Sequence, residues 1–587
     1  MRKRTFGYLP ALTLLLALIV SILPSGFAAA SDTEFTIVAL YRQDTPVTLD
    51  TATTTEISSL DPQLGTDVVS IEVYENLFLG LTDLDAFTNE VVPELATSWT
   101  ISEDGLTWTF TLRNDVNWMR YDPTSDTAEV VRPVVAGDFV YAIKRACDPR
   151  IASYYGSIAS TVIAGCDLIN QTSSDAMTDD QVYGDTTKVS APDDSTVVIE
   201  LQFAAGYFFS MTPMWMIRPL PQETIEEFGD DWTDPGNIVT NGPYFVKEVV
   251  TGVQRTFVRN DALPADLGDG GNIEMVRATF IEDEGTTYAL YLSGQLDTAG
   301  IPDAELESVL TDPERSQQVK QFFDLATNYF AFDYGKAPFD NVHARRAFSA
   351  SIDRVKMVEE VAAGQGVPMI HFTPPSMFGA PPINEVGIGF DVAYAQAEFA
   401  EAGYPDCEGF PNIRILSTAR RAAAVEFLLA AVEEHLGCDP GVFTAEQVEF
   451  SVQQELTSPQ SPSSDRPNMW FSNWYADYLD SHNFVGDVLS CNVANRFLRP
   501  CSEVDDLIDE AAAETDPQIR TQLYAEIEDM FFGEEGEFPF IPLYTPGAYV
   551  MYQPWYTGPF DTDGLSGGSH WDSRNIDMAA KLAAQGS

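Results

Sequence analysis

The residues best suited to binding a ligand lie at 469–480, where a short apolar segment with two tryptophans is followed by the carboxylate of Asp477. Asp477 stands among three large aromatic side chains, and desolvation by such rings is costly for a carboxylate that finds no partner. Two interpretations fit these residue types. In one, Asp477 ends a buried strand and caps a helix that begins near Ser481. In the other, aromatic walls and one carboxylate form a pocket for a cationic group such as an α-ammonium.

The composition predicts a large folded protein with a strongly acidic surface. At 587 residues the chain is too long for one core and should form two or three domains. The content of 45% hydrophobic and 12% aromatic residues is enough to build them. The formal charge is −57, and loss of Arg2, Lys3 and Arg4 with a leader would make it −57 − 3 = −60. Such a surface repels nucleic acids and anionic lipids, which excludes basic-groove functions, and we interpret it as favouring solubility.

The amino-terminal residues 1–30 have the pattern of a signal peptide. Residues 1–4 are basic, residues 9–23 are apolar, and residues 28–30 are three alanines suited to cleavage. A retained membrane anchor is the alternative, but the apolar segment is short for a span. No cysteine stands at the cleavage point, so no lipid anchor is expected there. The sequence therefore predicts an exported protein, periplasmic or extracellular, that is soluble after cleavage.

The six cysteines suggest structural disulfides. Fifteen pairings are possible, but the cysteines fall into three couples that are close in sequence. Each couple would close a short loop and contribute about 3 kcal/mol if unstrained. No Cys-x-x-Cys motif occurs, so neither a zinc site nor a redox site is supported. The couples are Cys147 with Cys166, Cys407 with Cys438, and Cys491 with Cys501.

Several local patterns predict secondary structure in the first quarter of the chain. Residues 36–40 alternate as in a strand, and a helix is expected from about 69 to 77. The Asp104-Gly105 pair is flanked by alternating residues, which predicts a hairpin. Residues 138–145 predict a second helix.

These motifs, in this order, resemble the extracellular solute-binding proteins of family 5, which deliver oligopeptides, dipeptides and related solutes to ABC transporters. The resemblance extends over nearly all of the chain after the signal peptide. It is carried by Ser59-Leu60-Asp61-Pro62, Tyr74-Glu75-Asn76-Leu77-Phe78, Glu94-Leu95-Ala96-Thr97-Ser98-Trp99, Ser102-Glu103-Asp104-Gly105-Leu106, Asp138-Phe139-Val140-Tyr141, Asn241-Gly242-Pro243-Tyr244, Arg345-Arg346-Ala347-Phe348, Ile352-Asp353-Arg354 and Trp474-Tyr475-Ala476-Asp477-Tyr478.

The resemblance implies an α/β fold of the two-lobed periplasmic-binding-protein type (type II), with an additional inserted domain and a ligand cleft between the lobes. Lobe I would be discontinuous and comprise residues 31–78, 206–325 and 541–587. The inserted small domain would take residues 79–205, and lobe II residues 326–540.

The same resemblance implies a set of ligand-binding residues. Asp477 would pair with a ligand ammonium, and Asn473 and Tyr475 would offer backbone groups to an extended ligand. Thr66 and Val68 stand at the spacing of the opposing backbone contacts. The walls would include Trp474 and three tyrosines, for each of which an ordinary packing role is the alternative: Tyr154, Tyr329 and Tyr544.

One departure concerns Phe471. Oligopeptide-binding members can carry a basic residue at this position, where it helps to receive a carboxylate. Its absence leaves open whether this chain prefers short ligands with a nearby free carboxylate.

The implied function is that of the substrate-binding component of an ABC importer. It would capture peptides, with oligopeptides expected, and deliver them to a membrane permease as a monomer without cofactor or metal. Within the same family, the alternative is an oligosaccharide receptor that would use Trp470 and Trp474 as stacking platforms.

A secreted hydrolase is the alternative from another class of protein. Residues 564–568 fit the Gly-x-Ser-x-Gly pattern and His570 follows closely. That motif requires a following helix and later acid and histidine residues, yet only 19 residues remain after Gly568. A Gly/Ser-rich loop is the favoured interpretation, and the five scattered histidines do not form a zinc motif.

Overall fold

The computed structural model describes residues 46–85, 88–268, 270–493, 495–560 and 570–586. The predicted signal peptide, the predicted strand at 36–40 and the Gly-x-Ser-x-Gly segment at 564–568 lie outside the described residues. Within the described ranges, no helix combines the length and the apolar character needed to cross a bilayer.

The strands are short except for one of 13 residues near the carboxyl end. The first are β1 Thr48–Thr53, β2 Thr82–Leu84, β3 Val91–Pro93, β4 Ala96–Ile101, β5 Thr107–Leu112, β6 Asn117–Asp122, β7 Thr127–Pro133 and β8 Val189–Asp193. Next are β9 Thr196–Glu200, β10 Val239–Thr240, β11 Tyr244–Val250, β12 Gln254–Arg259, β13 Met275–Phe280, β14 Thr298–Gly300 and β15 Val319–Phe323. The last are β16 Ala326–Phe332, β17 Gly366–Pro368, β18 Ile413–Ser417, β19 Phe443–Gln447, β20 Met469–Tyr475, β21 Phe540–Tyr552, β22 Tyr556–Thr557 and β23 Asn575–Ile576.

The α-helices are distributed along the chain between these strands. The first are α1 Val68–Leu77, α2 Ala136–Cys147, α3 Gly156–Val162, α4 Cys166–Asn170, α5 Asp179–Val182 and α6 Phe208–Met211. They are followed by α7 Gln222–Phe228, α8 Glu284–Leu292, α9 Asp303–Thr311, α10 Val342–Ala350, α11 Arg354–Val361 and α12 Val392–Glu401. The last are α13 Ala422–Leu436, α14 Phe450–Leu456, α15 His482–Phe484, α16 Glu503–Ala513, α17 Pro517–Phe532 and α18 Met578–Gly586.

Three of the six sheets in the described residues contain most of these strands. One has the order β1-β13-β12-β11, in which β1 is parallel to β13. A second, β4-β5-β9-β8, lies wholly within the segment predicted as the inserted domain. The largest has the order β14-β21-β16-β20-β18-β19, with β15 and β17 also paired to β21. The long β21 therefore joins strands from segments predicted for both lobes, while the exact domain boundaries remain a prediction.

The hairpin and the two helices predicted in the first quarter of the chain are confirmed. The Asp104-Gly105 turn joins β4 and β5, which pair in antiparallel register with Ile101 opposite Trp108. Gly105 has φ +73°, a conformation that glycine adopts without steric cost. The predicted helices are α1, which Asp67 caps through its side chain, and α2.

The structure contains three disulfides, and they join the couples that are close in sequence: Cys147–Cys166, Cys407–Cys438 and Cys491–Cys501.

Strand β20 lies between two hydrophobic cores. Met469 and Phe471 are buried in one core with Phe330 and Ile415, on one face of the sheet. Trp470 is buried on the other face. This alternation follows from the two-residue period of a strand, and it fixes the position of the residues that follow at the end of β20.

Candidate functional site

The candidate site is built at the carboxyl end of β20, where one edge of the strand is open. β16 pairs with β20 along its whole length, from Met469 to Tyr475. On the other edge β18 pairs only with Met469 and Trp470. Among the described residues, therefore, no strand covers this edge of β20 beyond Trp470.

The backbone groups of Asn473 and Tyr475 face the open edge. In an antiparallel pair, alternate residues direct both their N–H and C=O groups toward the partner strand. Ala476 N–H donates to Leu325 C=O, so residues 474 and 472 also face β16, whereas residues 475, 473 and 471 face away. The C=O of Phe471 agrees with this, because it accepts a hydrogen bond from Gln453 Nε2 at 2.8 Å.

Asp477 follows this edge directly and is 9% exposed. Its Oδ1 accepts a hydrogen bond from the Tyr155 hydroxyl at 3.2 Å, and its Oδ2 accepts one from Asn483 Nδ2 at 3.2 Å. The backbone N–H of Asp477 donates to Asn483 Oδ1 at 2.9 Å. Asn483 thus holds both the main chain and the side chain of Asp477 in place.

The Asp477 carboxylate has no charged partner among the described residues. Burial raises its pKa to about 6, and the hydrogen bonds from Asn483 and Tyr155 oppose this rise only in part. A cation brought by a ligand would supply the missing compensation. The interpretation of this segment as a pocket for a cationic group requires such a carboxylate, buried and without a positively charged protein partner.

A second buried carboxylate, Asp487, lies beside Asp477. Asn483 Nδ2 donates to Asp487 Oδ2 at 3.1 Å, and the Tyr478 hydroxyl donates to the same atom at 2.6 Å. Burial raises the pKa of Asp487 to about 7, and the neighbouring Asp477 adds to this effect. The amide of Asn483 therefore bridges two carboxylates.

Residues from distant parts of the chain close over this end of β20. Tyr155 is 322 residues from Asp477 in sequence. Tyr207 stacks on His482 with ring centroids 3.9 Å apart and on Tyr478 at 5.7 Å. Burial lowers the pKa of His482 to about 3, so this imidazole is neutral in the stack. The contacts join the segments predicted as the inserted domain and lobe I to the segment predicted as lobe II.

The alternative role of Asp477 as a helix cap is wrong. Helix α15 begins at His482, and the side chain that accepts from its first backbone N–H is Asp480, at 3.0 Å. Asp480 also forms an ion pair with Arg520 at 3.0 Å. The carboxylate that accepts this N–H is therefore three residues beyond Asp477, and the Asp477 carboxylate instead accepts from Tyr155 and Asn483.

The other predicted site residues are placed differently. Trp474 is half-buried, and its Nε1 donates to Asn483 Oδ1 at 3.1 Å, so it lines the Asp477 group. Tyr154 is 50% exposed and packs edge-on against Tyr155. Thr66 and Val68 are exposed at the start of α1, and within the described ranges no hydrogen bond or ring contact joins them to Asp477.

Tyr329 and Tyr544 lie in the cores on the two sides of the large sheet. Tyr329 packs against Phe372 and Phe540, and Tyr544 belongs to the core of Phe471. Their burial matches the packing role that the sequence left as the alternative.

Sequence reasoning missed Tyr155, Asn483 and Asp487. The resemblance implies Tyr154, whereas the structure places the adjacent Tyr155 against Asp477, because two neighbouring tyrosines do not show from sequence which ring faces inward. Asn483 and Asp487 follow Asp477 by six and ten residues. The presence of Asn483 and Asp487 so soon after Asp477 could have indicated a shared polar cluster. Only the turn after β20, however, brings the three side chains together.

The described residues also contain one acidic group of metal-ligand type away from β20. Single ligand atoms of Glu75, Asp83 and His570 lie within 4.8 Å of one another. Glu75, however, already forms a buried ion pair with Arg218. The local charge is thus partly compensated by the protein itself.

The chain is similar to proteins of known function over most of its length. It is 28% identical to the periplasmic murein peptide-binding protein MppA of Escherichia coli over 513 residues, which is 86% of this chain and 88% of that protein. It is 26% identical to the dipeptide-binding protein DppE of Bacillus subtilis over 498 residues, 83% of this chain and 85% of the relative.

Solved structures show the same fold. The murein tripeptide-binding protein MppA of Escherichia coli superposes with a TM-score of 0.72 at 25% identity, covering 90% of this chain and 98% of that one. Haemophilus influenzae OppA in complex with the peptide RPPGFSPFR gives a TM-score of 0.71 at 23% identity, covering 91% of this chain and all of that one.

A sequence profile assigns the family. Residues 90–496, more than half of the chain, match the profile described as "Bacterial extracellular solute-binding proteins, family 5 Middle". With the two-lobed α/β fold of its structural relatives, the chain belongs to family 5 of the bacterial extracellular solute-binding proteins.

Proposed function

We propose that this protein is the exported, non-enzymatic receptor of an ABC importer, which binds a peptide at the open edge of β20 and delivers it to a membrane permease. It acts as a monomer. The ligand lies between the segment that carries Asp477 and the segments that carry Tyr155 and Tyr207. Contact with both sides favours the closed form, which the permease recognises.

The observation that carries this proposal is the position of Asp477 at the end of an open strand edge. Asn473 and Tyr475 direct N–H and C=O groups outward, and an extended peptide satisfies such groups by adding a strand. The α-ammonium of the same peptide compensates the buried Asp477 carboxylate. A peptide is thus complementary to both features at once.

The names of the relatives support the same ligand class. The proteins MppA and DppE are described as murein peptide-binding and dipeptide-binding, respectively. Haemophilus influenzae OppA was solved with a nonapeptide. These ligands differ in length, so they support peptides as a class without fixing the number of residues.

Calorimetry of Asp477→Asn tests the proposal. The substitution keeps the shape of the side chain but leaves the ammonium buried without its counter-ion. Loss of one member of a buried charge pair typically costs about 2–5 kcal/mol, so Kd should rise roughly 30- to 5000-fold. N-acetylated peptides should bind the unmodified protein weakly and suffer little further loss in the variant, because both changes remove the same pair.

Asp104→Asn is the matched control. It removes one carboxylate from the exposed hairpin turn, where Asn-Gly is as suitable as Asp-Gly, and should leave peptide affinity unchanged. Peptide affinity that is unchanged in Asp477→Asn would contradict the role of Asp477 as the ammonium anchor.

The oligosaccharide alternative loses one of its two stacking platforms. Trp470 is 2% exposed and stacks on Phe497, so its face cannot receive a sugar ring. If a sugar were the ligand, Trp474→Ala would be the damaging substitution and Asp477→Asn would be tolerated.

Mass spectrometry of the peptide after prolonged incubation with the protein distinguishes a receptor from a hydrolase, because a receptor returns the peptide intact.

A further inference from the structure

Asn483 holds two carboxylates close together at the end of the open strand edge. Its Nδ2 donates to Asp477 Oδ2 at 3.2 Å and to Asp487 Oδ2 at 3.1 Å, so these two oxygens lie no more than 6.3 Å apart, the sum of the two distances. The orientation of the amide is fixed, because Asn483 Oδ1 accepts hydrogen bonds from the Asp477 backbone N–H and from Trp474 Nε1. The amide nitrogen must therefore face the carboxylates.

The pair of carboxylates belongs to one short segment of the chain. Asn483 and Asp487 are four residues apart on one helical run, and Asp477 precedes that run directly. Tyr478, which donates to Asp487 Oδ2 at 2.6 Å, lies on the same segment. The hydrogen bonds that hold the pair together thus need no residue outside 474–487, and opening of the cleft does not break them.

Neither carboxylate forms an ion pair with a lysine or arginine in the described part of the chain. Arg520 forms its ion pair with Asp480, at 3.0 Å. Arg496 donates to Gln454 Oε1 and to Thr457 Oγ1. Both arginines are therefore engaged away from the pair.

The other ionisable groups around the pair are uncharged at neutral pH. His482 Nε2 lies 3.9 Å from Asp487 Oδ1, beyond hydrogen-bonding distance, and burial lowers the pKa of this imidazole to about 3. Asp487 Oδ1 accepts no hydrogen bond from the described residues, so it is available to a ligand. Burial raises the pKa of each neighbouring phenol above its ordinary value, so none is ionised: Tyr154, Tyr155, Tyr207, Tyr478 and Tyr524.

Two carboxylates at this separation oppose each other's ionisation. Where like charges share a site, one of them keeps its proton to a higher pH, and the protons leave in steps that belong to the pair. Burial acts in the same direction, raising the pKa of Asp477 to about 6 and that of Asp487 to about 7, and the charges of Asp477 and Asp480 add to the rise at Asp487. Without ligand, the pair therefore holds about one proton near pH 6.5.

We propose that Asp487 is a second carboxylate of the ammonium site, so that binding of a peptide amino terminus displaces a proton from the Asp477–Asp487 pair. This inference rests on the proposed function, in which Asp477 receives the α-ammonium. Before binding, the pair carries one negative charge and one proton. The ammonium brings three N–H donors and compensates both carboxylates, and the displaced proton passes to the solvent.

Acidification should therefore weaken binding. Both carboxylates must be ionised to share the ammonium, so protons compete with the peptide as the pH falls through the pKa values of the ligand-free pair. From pH 7 to pH 5.5, Kd should rise roughly 10- to 60-fold, where the upper figure follows from pKa values of about 6 and 7. A single carboxylate with a pKa of about 6 would give only about a fourfold rise. The peptide ammonium stays charged in this range, because its pKa is about 7.7–8.0.

Calorimetry of one peptide at pH 6.5, in phosphate and in ACES buffer, tests the proposal. The two buffers differ in ionisation enthalpy, so the difference between the observed binding enthalpies gives the number of protons released. The unmodified protein should release about 0.5–1 proton per bound peptide, and Asp487→Asn about 0.2 or fewer. Asp104→Asn, in the exposed hairpin turn, is the matched control and should release as many protons as the unmodified protein.

Equal proton release by the unmodified protein and by Asp487→Asn would overturn the proposal, as would the absence of release by the unmodified protein. Thermal unfolding checks that each variant is folded. Should Asp487→Asn unfold, the pH dependence of the unmodified protein decides, because a rise in Kd of only about fourfold from pH 7 to pH 5.5 is that of a single carboxylate and would also overturn it.

The N-acetylated form of the same peptide separates this inference from the proposed function. It brings no ammonium and should displace no proton from the pair. If acetylation weakens binding but the free peptide releases no proton, the ammonium anchor at Asp477 holds and the role of Asp487 fails. If acetylation and Asp477→Asn both leave Kd unchanged, the proposed function itself fails.

Discussion

At Asp477 the protein holds a carboxylate where burial alone disfavours its charge. Asn483 and Tyr155 satisfy part of its hydrogen-bonding capacity, but they bring no positive charge, and the pKa rises to about 6. Groups of this kind reduce stability and persist at sites where a ligand later compensates them. The residue therefore opposes folding slightly and favours binding.

This cost predicts that Asp477→Asn stabilises the ligand-free protein. A carboxyl group whose pKa is raised on folding destabilises the native state above that pKa, and the penalty disappears as the pH falls below the unfolded value near 3.9. In the arrangement described here, in which Asp477 is buried, the free energy of unfolding of the variant should exceed that of the unmodified protein by up to about 2–3 kcal/mol at pH 8. The excess is smaller to the extent that the ligand-free protein opens and exposes Asp477. The difference should shrink toward zero at pH 4. Urea unfolding at both pH values measures it, and a variant less stable at pH 8 would contradict the role of burial.

At the scale of elements, β20 packs against two hydrophobic cores and pairs with strands on both edges, though only partly on one of them. Its two faces enter two cores, one edge pairs with β16, and the other edge is open where β18 ends. The sequence was sufficient to predict the strand character of this segment and the helices α1 and α2, because each depends on a local period. Local patterns could not predict the open edge, which only the family resemblance implied, because that edge depends on where the distant strand β18 stops pairing with β20.

The same limit applies to Tyr155. Its sequence neighbourhood does not show which of two adjacent tyrosines faces inward, and only the fold brings it to Asp477, 322 residues away. The disulfide pairing could be predicted from the sequence because both cysteines of each pair are close in sequence. Contacts between residues close in sequence could therefore be predicted, whereas contacts between distant residues could not, even where they form the candidate site.

Helix α18 shows a long-range anchor that local patterns could not predict. Lys581 is 2% exposed, and its Nζ lies 2.8 Å from Asp50 Oδ2 and 2.5 Å from Asp297 Oδ2. Lys581→Met would leave the buried Asp297 without its cation, whereas Asp50 keeps its ion pair with Arg277 at 2.6 Å. Loss of one partner of a buried ion pair typically costs about 3–5 kcal/mol. We expect a lower urea midpoint and faster hydrogen exchange in α18. Lys356→Met, at an exposed lysine 3.9 Å from Glu360, is the control and should change stability by less than about 0.5 kcal/mol. Equal effects of the two substitutions would show that the buried triad does not anchor the helix.

At the scale of the whole molecule, the contacts at the site join segments that are far apart in the chain. Tyr155 meets Asp477, Tyr207 stacks on Tyr478 and His482, and Gly206 N–H donates to Ala512 C=O at 3.0 Å. The chain as a whole carries a formal net charge of −57. The closure proposed above would therefore have to overcome charge repulsion as well as the cost of burying Asp477.

A peptide should therefore shift the protein toward its closed form. Without ligand, closure buries the Asp477 carboxylate beside Tyr155 with no cation, whereas a bound ammonium compensates that charge and the strand edge is satisfied. Small-angle scattering should show a smaller radius of gyration at saturating peptide than in its absence. Thermal stability should rise with ligand by RT ln(1 + [L]/Kd), about 2.7 kcal/mol at a hundredfold excess over Kd.

The acetylated form of the same peptide is the control for closure. At the same concentration it should produce little change in the radius of gyration, because it brings no ammonium to Asp477. Raising its concentration to saturation should satisfy the open edge of β20 but should still give a smaller change than the free peptide, since the carboxylate remains uncompensated. A radius of gyration that stays constant at saturation with the free peptide would indicate a rigid pocket, and ligand capture would then have to occur without movement of Tyr155 and Tyr207 toward Asp477 and His482.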